Sequence, residues 1–280
     1  MNKKNFKARF GPWAIVTGAT SGIGREFAEQ LAAMGLDLVL VSRRSEALEK
    51  IGGDLARRHG IKTRSVAVDL SAPGFLDGLM SDVADLDIGL VVSNAGADHM
   101  GAMLRIPLED LQSMQRLNAA SHLDIAYGFG SAFLERRKTA GLILVSSTAS
   151  LQATPLLANY AGAKAYVMNL GAALNSELKG TGIHASVLVP GPTKTPAFTD
   201  RTDIDLKTMP MPPMPVAPVV RAGLRGVMKN KAIVIPGTMN KIMDWMGRRI
   251  MTRGMAAGMW GMLMNKAAPS RLKVQARRGA

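Results

Sequence analysis

Ala14-Ile15-Val16-Thr17-Gly18-Ala19-Thr20-Ser21-Gly22-Ile23-Gly24-Arg25-Glu26-Phe27-Ala28 is the stretch that decides the fold of this chain. Ala14-Ile15-Val16 reads as a short apolar strand, residues 17–24 as a glycine-rich loop and residues 25–31 as an amphipathic helix. Strand, glycine loop and helix in that order are the setting in which a backbone holds a dinucleotide. Glycines let the chain turn tightly and approach a pyrophosphate without a Cβ clash, and the helix N-terminus presents free N–H groups to the phosphates. The spacing here is G-x-x-x-G-x-G, not the commoner G-x-G-x-x-G. Gly18, Thr20, Ser21, Gly22, Ile23 and Gly24 are therefore expected at a cofactor.

The next strand, residues 36–41, runs into Ser42-Arg43-Arg44. In a sheet that binds NAD, an acidic residue at this point would bond the ribose 2′-hydroxyl. None is present, and a planar guanidinium matches a phosphate in shape and charge. Arg43 is read as a clamp for a 2′-phosphate and Arg44 as its support, which favours NADP(H). Two cations at a helix start oppose the helix dipole, so their placement wants a reason. Further strands read at about 63–68, 88–93, 141–147, 183–189 and 232–235, with helical stretches between them. That alternation predicts an α/β fold, a Rossmann-type doubly wound parallel sheet of about seven strands with helices on both faces. Ligands of such sheets lie in the crevice at the carboxyl ends of the strands.

Tyr160 and Lys164 stand four residues apart, so on a helix their side chains share a face. A phenol titrates near 10 and is a poor acid or base at neutral pH, but an ammonium beside it favours the phenolate and lowers that value. The spacing alone is that of any pair of helix-surface neighbours. It gains meaning from Ser147, thirteen residues upstream, and from the nucleotide loop.

Together these residues resemble the short-chain dehydrogenase/reductase family over residues 12–237. The ordered markers are Thr17-Gly18-x-x-x-Gly22-Ile23-Gly24, Asp69-Leu70, Asn94-Ala95-Gly96, Asn118, Ser147, Tyr160 with Lys164, and Pro190-Gly191 followed by Thr195. The resemblance implies a catalytic tetrad of Asn118, Ser147, Tyr160 and Lys164. Tyr160 would be the general acid that protonates a carbonyl oxygen as hydride arrives, and Ser147 would hold that oxygen. Lys164 would lower the Tyr160 pKa and bond the nicotinamide ribose, and Asn118 would anchor a water relaying protons to Lys164. It also implies Asp69 and Leu70 at the adenine, Asn94, Ala95 and Gly96 at the adenosine ribose, and Pro190, Gly191, Thr193 and Thr195 around the nicotinamide. Ser93 departs from the family's Asn-Asn-Ala-Gly loop, and residues 238–280 resemble the basic C-terminal extensions of a bacterial subgroup.

The net charge of +14 is not spread evenly. Residues 13–239 carry 22 basic and 20 acidic side chains, whereas residues 1–12 add four basic ones, and residues 240–280 hold nine basic against one acidic. The chain is accordingly divided into a basic N-terminal arm (1–12), a catalytic domain (13–237) and a basic Met/Gly-rich extension (238–280). In the extension Ile242, Met243, Met246 and Ile250 can share a helix face away from Arg248, Arg249 and Arg253. Such a helix suits an anionic membrane surface or a packing site on this or another subunit. It is expected to localise or oligomerise the enzyme and to carry no catalytic group. No reading motif accompanies the charge, so nucleic acid is not an expected partner.

With no cysteine there are no disulfides, thiolate metal sites or cysteine nucleophiles. His59, His99, His122 and His184 show no ligand spacing, so no metal is predicted. His59 and His184 read as structural, and His99, just after the Asn94 loop, is placed where it can reach the site. Residues 1–10 lack the apolar core of a signal peptide, and residues 242–264 are broken by charges and do not span a bilayer. A cytoplasmic protein, peripherally membrane-associated if the extension binds lipid, is the expected setting.

Between residues 195 and 220 lie Met209, Met211 and Met214 with Pro210, Pro212, Pro213, Pro215 and Pro218. The family has a mobile substrate lid here, and flexible, polarizable methionines suit an apolar partner. The function expected is an NADP(H)-dependent oxidoreductase moving hydride between nicotinamide and the carbonyl or secondary alcohol of an apolar substrate such as an acyl chain or a steroid, in a homo-oligomer. The alternative is a nonenzymatic NADP-binding or membrane-recruited scaffold of the same fold.

Overall fold

The computed structural model describes residues 2–136, 138–200, 212–269 and 272. Seven parallel strands form one sheet in the order β3-β2-β1-β4-β5-β6-β7. They are β1 Trp13–Thr17, β2 Asp37–Ser42, β3 Thr63–Ala67, β4 Ile88–Ser93, β5 Ala140–Val145, β6 Ile183–Leu188 and β7 Ile233–Val234. The expected strands are all present, with ends differing by one or two residues. Every residue of β4 and β5 is buried, as central strands covered on both faces require.

The helices are α1 Lys3–Phe10, α2 Gly22–Ala33, α3 Ser45–His59, α4 Phe75–Asp82, α5 Leu108–Gln115, α6 Ser121–Arg136, α7 Ala158–Glu177, α8 Pro196–Thr199, α9 Val216–Met228, α10 Thr238–Arg249 and α11 Arg253–Ala267. Helices α1, α2, α3 and α9 cover one face of the sheet, where Phe27, Leu31, Leu48 and Leu224 are fully buried. On the other face Leu79 of α4 and Ile125, Phe129 and Phe133 of α6 pack against Ile15, Val39 and Leu142. Strand order reverses at β1: one branch runs through β2 to β3 and the other through β4 outward. The crevice between the carboxyl ends of β1 and β4 is thus the place where such a sheet holds a ligand.

The segment read as a basic arm is helical and anchored. Asn2 caps α1 by accepting from the Lys4 N–H at 3.0 Å, and Phe6 and Phe10 are fully buried with ring centroids 5.1 Å apart. The Phe10 carbonyl passes so close to β4 that a Cβ on Gly89 would lie 2.6 Å from it. The basic residues ride on the outer side of an aromatic anchor, a split that charge counting does not show. Of the expected lid, Met209, Pro210 and Met211 lie outside the described residues. Met214 is described, and it joins Pro192 and Lys194 through backbone hydrogen bonds of 2.8 Å each.

Candidate active site

A cavity of about 620 Å³ opens over the β1/β4 crevice. It is built first by the glycine loop. Gly18 has φ +66° and Gly22 φ +55°, and a Cβ on Gly18 would meet Asn94 Nδ2 at 2.9 Å, so the loop requires glycine on both counts. Gly24 does not line the cavity. It faces inward, where a Cβ would lie 2.3 Å from the Gly18 carbonyl oxygen, so its part is to let α2 pack on the loop. Thr20, Ser21, Gly22 and Ile23 do line the cavity, at the start of α2.

Thr17 joins the two loops. Its Oγ1 accepts from the N–H groups of Asn94 (2.8 Å) and Ala95 (2.9 Å), and Asn94 Nδ2 donates back to the Thr17 carbonyl at 2.9 Å. Arg43 and Arg44 stand exposed after β2, on the cavity wall. Arg44 donates to Thr20 Oγ1 at 2.7 Å, which ties it to the glycine loop, and Arg43 acts by its charge on Asp69. The Asp69 carboxyl is held below its ordinary value mainly by accepting from Ser71 Oγ (2.7 Å) and the Ser71 N–H (2.9 Å). Asp69, Leu70, Asn94, Ala95 and Gly96 line one end of the cavity, and Pro190, Gly191, Thr193 and Thr195 another part of its wall.

Asn118, Ser147, Tyr160 and Lys164 also meet here. Asn118 sits in a π-helical turn, Arg116–Ala120, between α5 and α6. Such turns are rare and recur at functional sites. Its Nδ2 donates to the carbonyls of Ala97 (2.6 Å) and Met114 (3.0 Å), while its buried Oδ1 has no hydrogen-bond partner among the described residues. A Cβ on Gly96 would lie 2.6 Å from that Oδ1 and 3.2 Å from Lys164 Nζ, so glycine here keeps open the space that both atoms face. Ser147, at the end of β5, accepts from the Ala149 N–H at 3.2 Å.

Tyr160 and Lys164 lie one turn apart on α7, with Nζ 6.0 Å from the phenol ring centroid. Lys164 is buried, and burial lowers its pKa to about 7. Nζ donates to the Val145 carbonyl at 3.0 Å and lies 3.4 Å from Nε2 of His122. His122 was the histidine least distinguished by sequence, yet it touches the buried cation. His99, expected within reach, is exposed and absent from the cavity wall. His59 ends α3 and His184 lies in β6, as read.

The extension reaches the site as well. Asn240 of α10 is buried against Gly191, where a Cβ would lie 2.6 Å from its side chain. Trp260 and Met264 of α11 form part of the cavity wall, and Met264 clusters with Met100, Leu156, Leu157 and Leu272. Beyond the localising or oligomerising part expected of it, the extension thus lines the same cavity as Tyr160. A helical period cannot show which cavity a tail covers. Of the apolar face expected on α10, Met243 and Met246 are half-buried and Ile242 and Ile250 are exposed. Asn240 and Asp244 are buried, Asp244 paired with Arg248, and Met239 and Trp245 are exposed.

Residues 12–205 match the short chain dehydrogenase family model. The chain belongs to the short-chain dehydrogenase family. It is 30% identical over 194 residues to a 7beta-hydroxysteroid dehydrogenase of Collinsella aerofaciens, covering 69% of this chain and 73% of that one. It is 33% identical over 199 residues to a very-long-chain 3-oxoacyl-CoA reductase of Meyerozyma guilliermondii, covering 68% of this chain and 58% of that relative. Among solved structures, one described by its 7beta-hydroxysteroid dehydrogenase stereoselectivity superposes with a TM-score of 0.82 at 25% identity, covering 93% of this chain and all of that one. A short-chain dehydrogenase from Sphingobium yanoikuyae in complex with NADPH gives 0.74 at 25% identity, covering 96% of this chain and all of that one. As a family member the protein is an oxidoreductase that binds a nicotinamide cofactor and exchanges hydride with a carbonyl or alcohol carbon.

Thr17→Val should test the junction. The substitution keeps the branched, strand-compatible shape and removes the oxygen that two N–H groups share. Leaving such donors unmatched costs about 1–3 kcal/mol, read as a lower urea midpoint at unchanged slope. A midpoint equal to wild type would mean that the loops are held by other contacts.

Proposed function

We propose that the protein is an NADP(H)-dependent ketone reductase, or alcohol dehydrogenase in reverse, for bulky apolar substrates. The observation that carries this is the convergence of Ser147, Tyr160 and Lys164 beside a wall containing Met100, Leu157, Trp260 and Met264. The residues fit the cofactor: a glycine cradle that a Cβ would fill, an α-helix N-terminus beneath it, and two guanidinium groups after β2 in place of a carboxylate. Residues 18–24 would hold the pyrophosphate, Arg43 the 2′-phosphate, Asp69 the adenine and residues 190–195 the nicotinamide end. When bound, that cofactor supplies or accepts the hydride.

The chain's own groups handle the proton. Ser147 Oγ donates to the substrate oxygen and orients it. Tyr160 gives that oxygen its proton in reduction and takes it back in oxidation. Lys164 supplies the positive charge that lowers the phenol's pKa, and because Lys164 is buried this charge acts with less screening than at the surface. Asn118, held through both Nδ2 hydrogens, aims Oδ1 at the same space as Nζ and so suits a proton relay to Lys164. A scaffold without chemistry would have no need to bury, beneath this tyrosine, a lysine that has no carboxylate partner among the described residues.

The outward face of the extension supports a contact with an anionic membrane or a further subunit. Lys241, Arg248, Arg249, Arg253 and Lys266 are exposed beside Ile242 and Trp245, and Asp244, its one acidic residue, is buried. Among the described residues no helix is long and apolar enough to cross a membrane, so a lipid contact of this kind would be peripheral.

Tyr160→Phe should abolish turnover while cofactor still binds, a loss of at least 10²-fold given the usual worth of general acid catalysis. Retention of more than about a tenth of the rate would remove Tyr160 from its role. Arg43→Ala should weaken NADPH by about 1.5–3 kcal/mol, the range of a charged hydrogen bond, and leave NADH nearly unchanged. A wild-type preference for NADH, or equal weakening of both, places the clamp elsewhere. Trp260→Ala should raise KM for a bulky apolar ketone by roughly 10–200-fold, as lost apolar contacts do, with NADPH affinity retained. An unchanged KM would take α11 out of the substrate site.

A further inference from the structure

Lys164 is a buried cation with an unusual set of neighbours. Its Nζ meets one carbonyl, that of Val145 at 3.0 Å, and one imidazole nitrogen, Nε2 of His122 at 3.4 Å. His122 stands on α6, four residues after Asn118, and is fully buried. Its other nitrogen, Nδ1, lies 2.8 Å from Ser93 Oγ at the end of β4. Ser93 is itself buried, and it is the residue that departs from the asparagine of the family's loop. Neither residue belongs to the tetrad that the resemblance implied.

The chemistry of the ring fixes the roles. A neutral imidazole has one N–H donor and one lone-pair acceptor, and an ammonium can only donate. A protonated Lys164 therefore places the lone pair on Nε2 and the hydrogen on Nδ1, where Ser93 Oγ accepts it. The ring stays neutral: burial first, and then the Lys164 charge, keep its pKa well below the ordinary histidine value. Burial also acts against the ammonium of Lys164, and an unpaired buried charge is costly unless acceptors surround it. Among the described residues the groups around the pair are Tyr160 on α7, Ser93 on β4, the Val145 carbonyl on β5, the backbone of Ala95 and, across the space beside Gly96, Asn118 Oδ1, and the charge acting on His122 is that of Lys164.

We propose that His122, fixed by Ser93, is a positioning residue that keeps Lys164 an ammonium beneath Tyr160 by accepting its hydrogen bond. The chain Lys164–His122–Ser93 ends at a buried hydroxyl, so it anchors the lysine and does not lead protons to solvent. This rests on the reading of Tyr160 as the acid–base group and adds a second support for its partner, independent of Asn118.

The sign of the effect follows. Replacing His122 by leucine removes an acceptor, Lys164 loses its proton at lower pH, and the phenol of Tyr160 then titrates higher. Alcohol oxidation needs the phenolate, so the midpoint at which kcat for oxidation rises with pH should move upward. The experiment compares full-length wild type, His122→Leu, His122→Gln and Ser93→Ala, measuring kcat for oxidation between pH 5 and 10 with NADP and a secondary alcohol, together with NADP affinity. His122→Leu should shift the midpoint up by about one unit, a roughly tenfold slower oxidation below it, since the rate there follows the phenolate fraction. His122→Gln, whose amide oxygen can accept from Nζ, should restore the wild-type midpoint, and Ser93→Ala should shift it in the same direction by less. NADP affinity should stay within about threefold, because none of the three variants alters a group that touches the cofactor in this scheme. Profiles of unchanged midpoint in His122→Leu and Ser93→Ala would overturn the proposal. Equal losses in His122→Leu and His122→Gln at a fixed midpoint would do the same, showing a packing role only. If His122→Leu does not fold, Ser93→Ala and His122→Gln decide by the same criteria. An active Tyr160→Phe would instead remove the underlying reading, whatever the His122 profiles show.

Discussion

A lysine ammonium buried with no carboxylate partner among the described residues is the constraint on which the site is organised. Water would solvate that charge by tens of kcal/mol in the idealised limit, so a protein that buries it must supply acceptors or lose the proton. Here the acceptors are a carbonyl at the end of β5 and an imidazole from α6, and Gly96 brings the Asn94 loop close enough to keep Asn118 Oδ1 at the same space. The π-turn that carries Asn118, the inner face of α7 and the adjoining ends of β4 and β5 all serve this one placement. A neighbouring carboxylate would hold the lysine more cheaply. It would also cancel the positive charge that a phenol needs beside it to work near neutral pH.

How far the sequence discloses this depends on the kind of signal. The sheet was legible because buried parallel strands are written as continuous apolar runs, such as Leu142-Ile143-Leu144-Val145, and because glycines mark the phosphate loop. Tyr160 and Lys164 were legible because both lie on one helix at a fixed spacing. His122 was not, since its meaning depends on a side chain 42 positions later and another 29 positions earlier. Nor did charge counting reveal that α1 is anchored by Phe6 and Phe10, because net charge averages over a helix whose two sides differ. For α10 the apolar period leaves Met243 and Met246 half-buried and Ile242 and Ile250 exposed, while Asn240 and Asp244 take the inner positions with specific polar contacts.

The extension changes the picture of the substrate side. Residues from Gly18 to Thr195 line the cavity proposed to hold the nucleotide, and Trp260 and Met264 of α11 form a further part of its wall. The same helical pair presents basic and apolar side chains outward. One element thus borders the reaction space and also offers the surface most suited to an external partner, which gives a physical route by which that partner would affect turnover. Met100 and Met264 in the wall can adapt to irregular apolar shapes, which supports the proposal of a bulky ketone.

The central claim is hydride transfer between NADP(H) and a bulky ketone in this cavity. The most direct measurement supplies NADPH deuterated at the reactive C4 position with a panel of polycyclic and long-chain ketones, and follows the products by mass spectrometry. The account predicts alcohol carrying one deuterium on the carbinol carbon, formed by wild type and not by Tyr160→Phe. Nucleotide binding with no labelled alcohol from any ketone, or label transferred equally well by Tyr160→Phe, would contradict it.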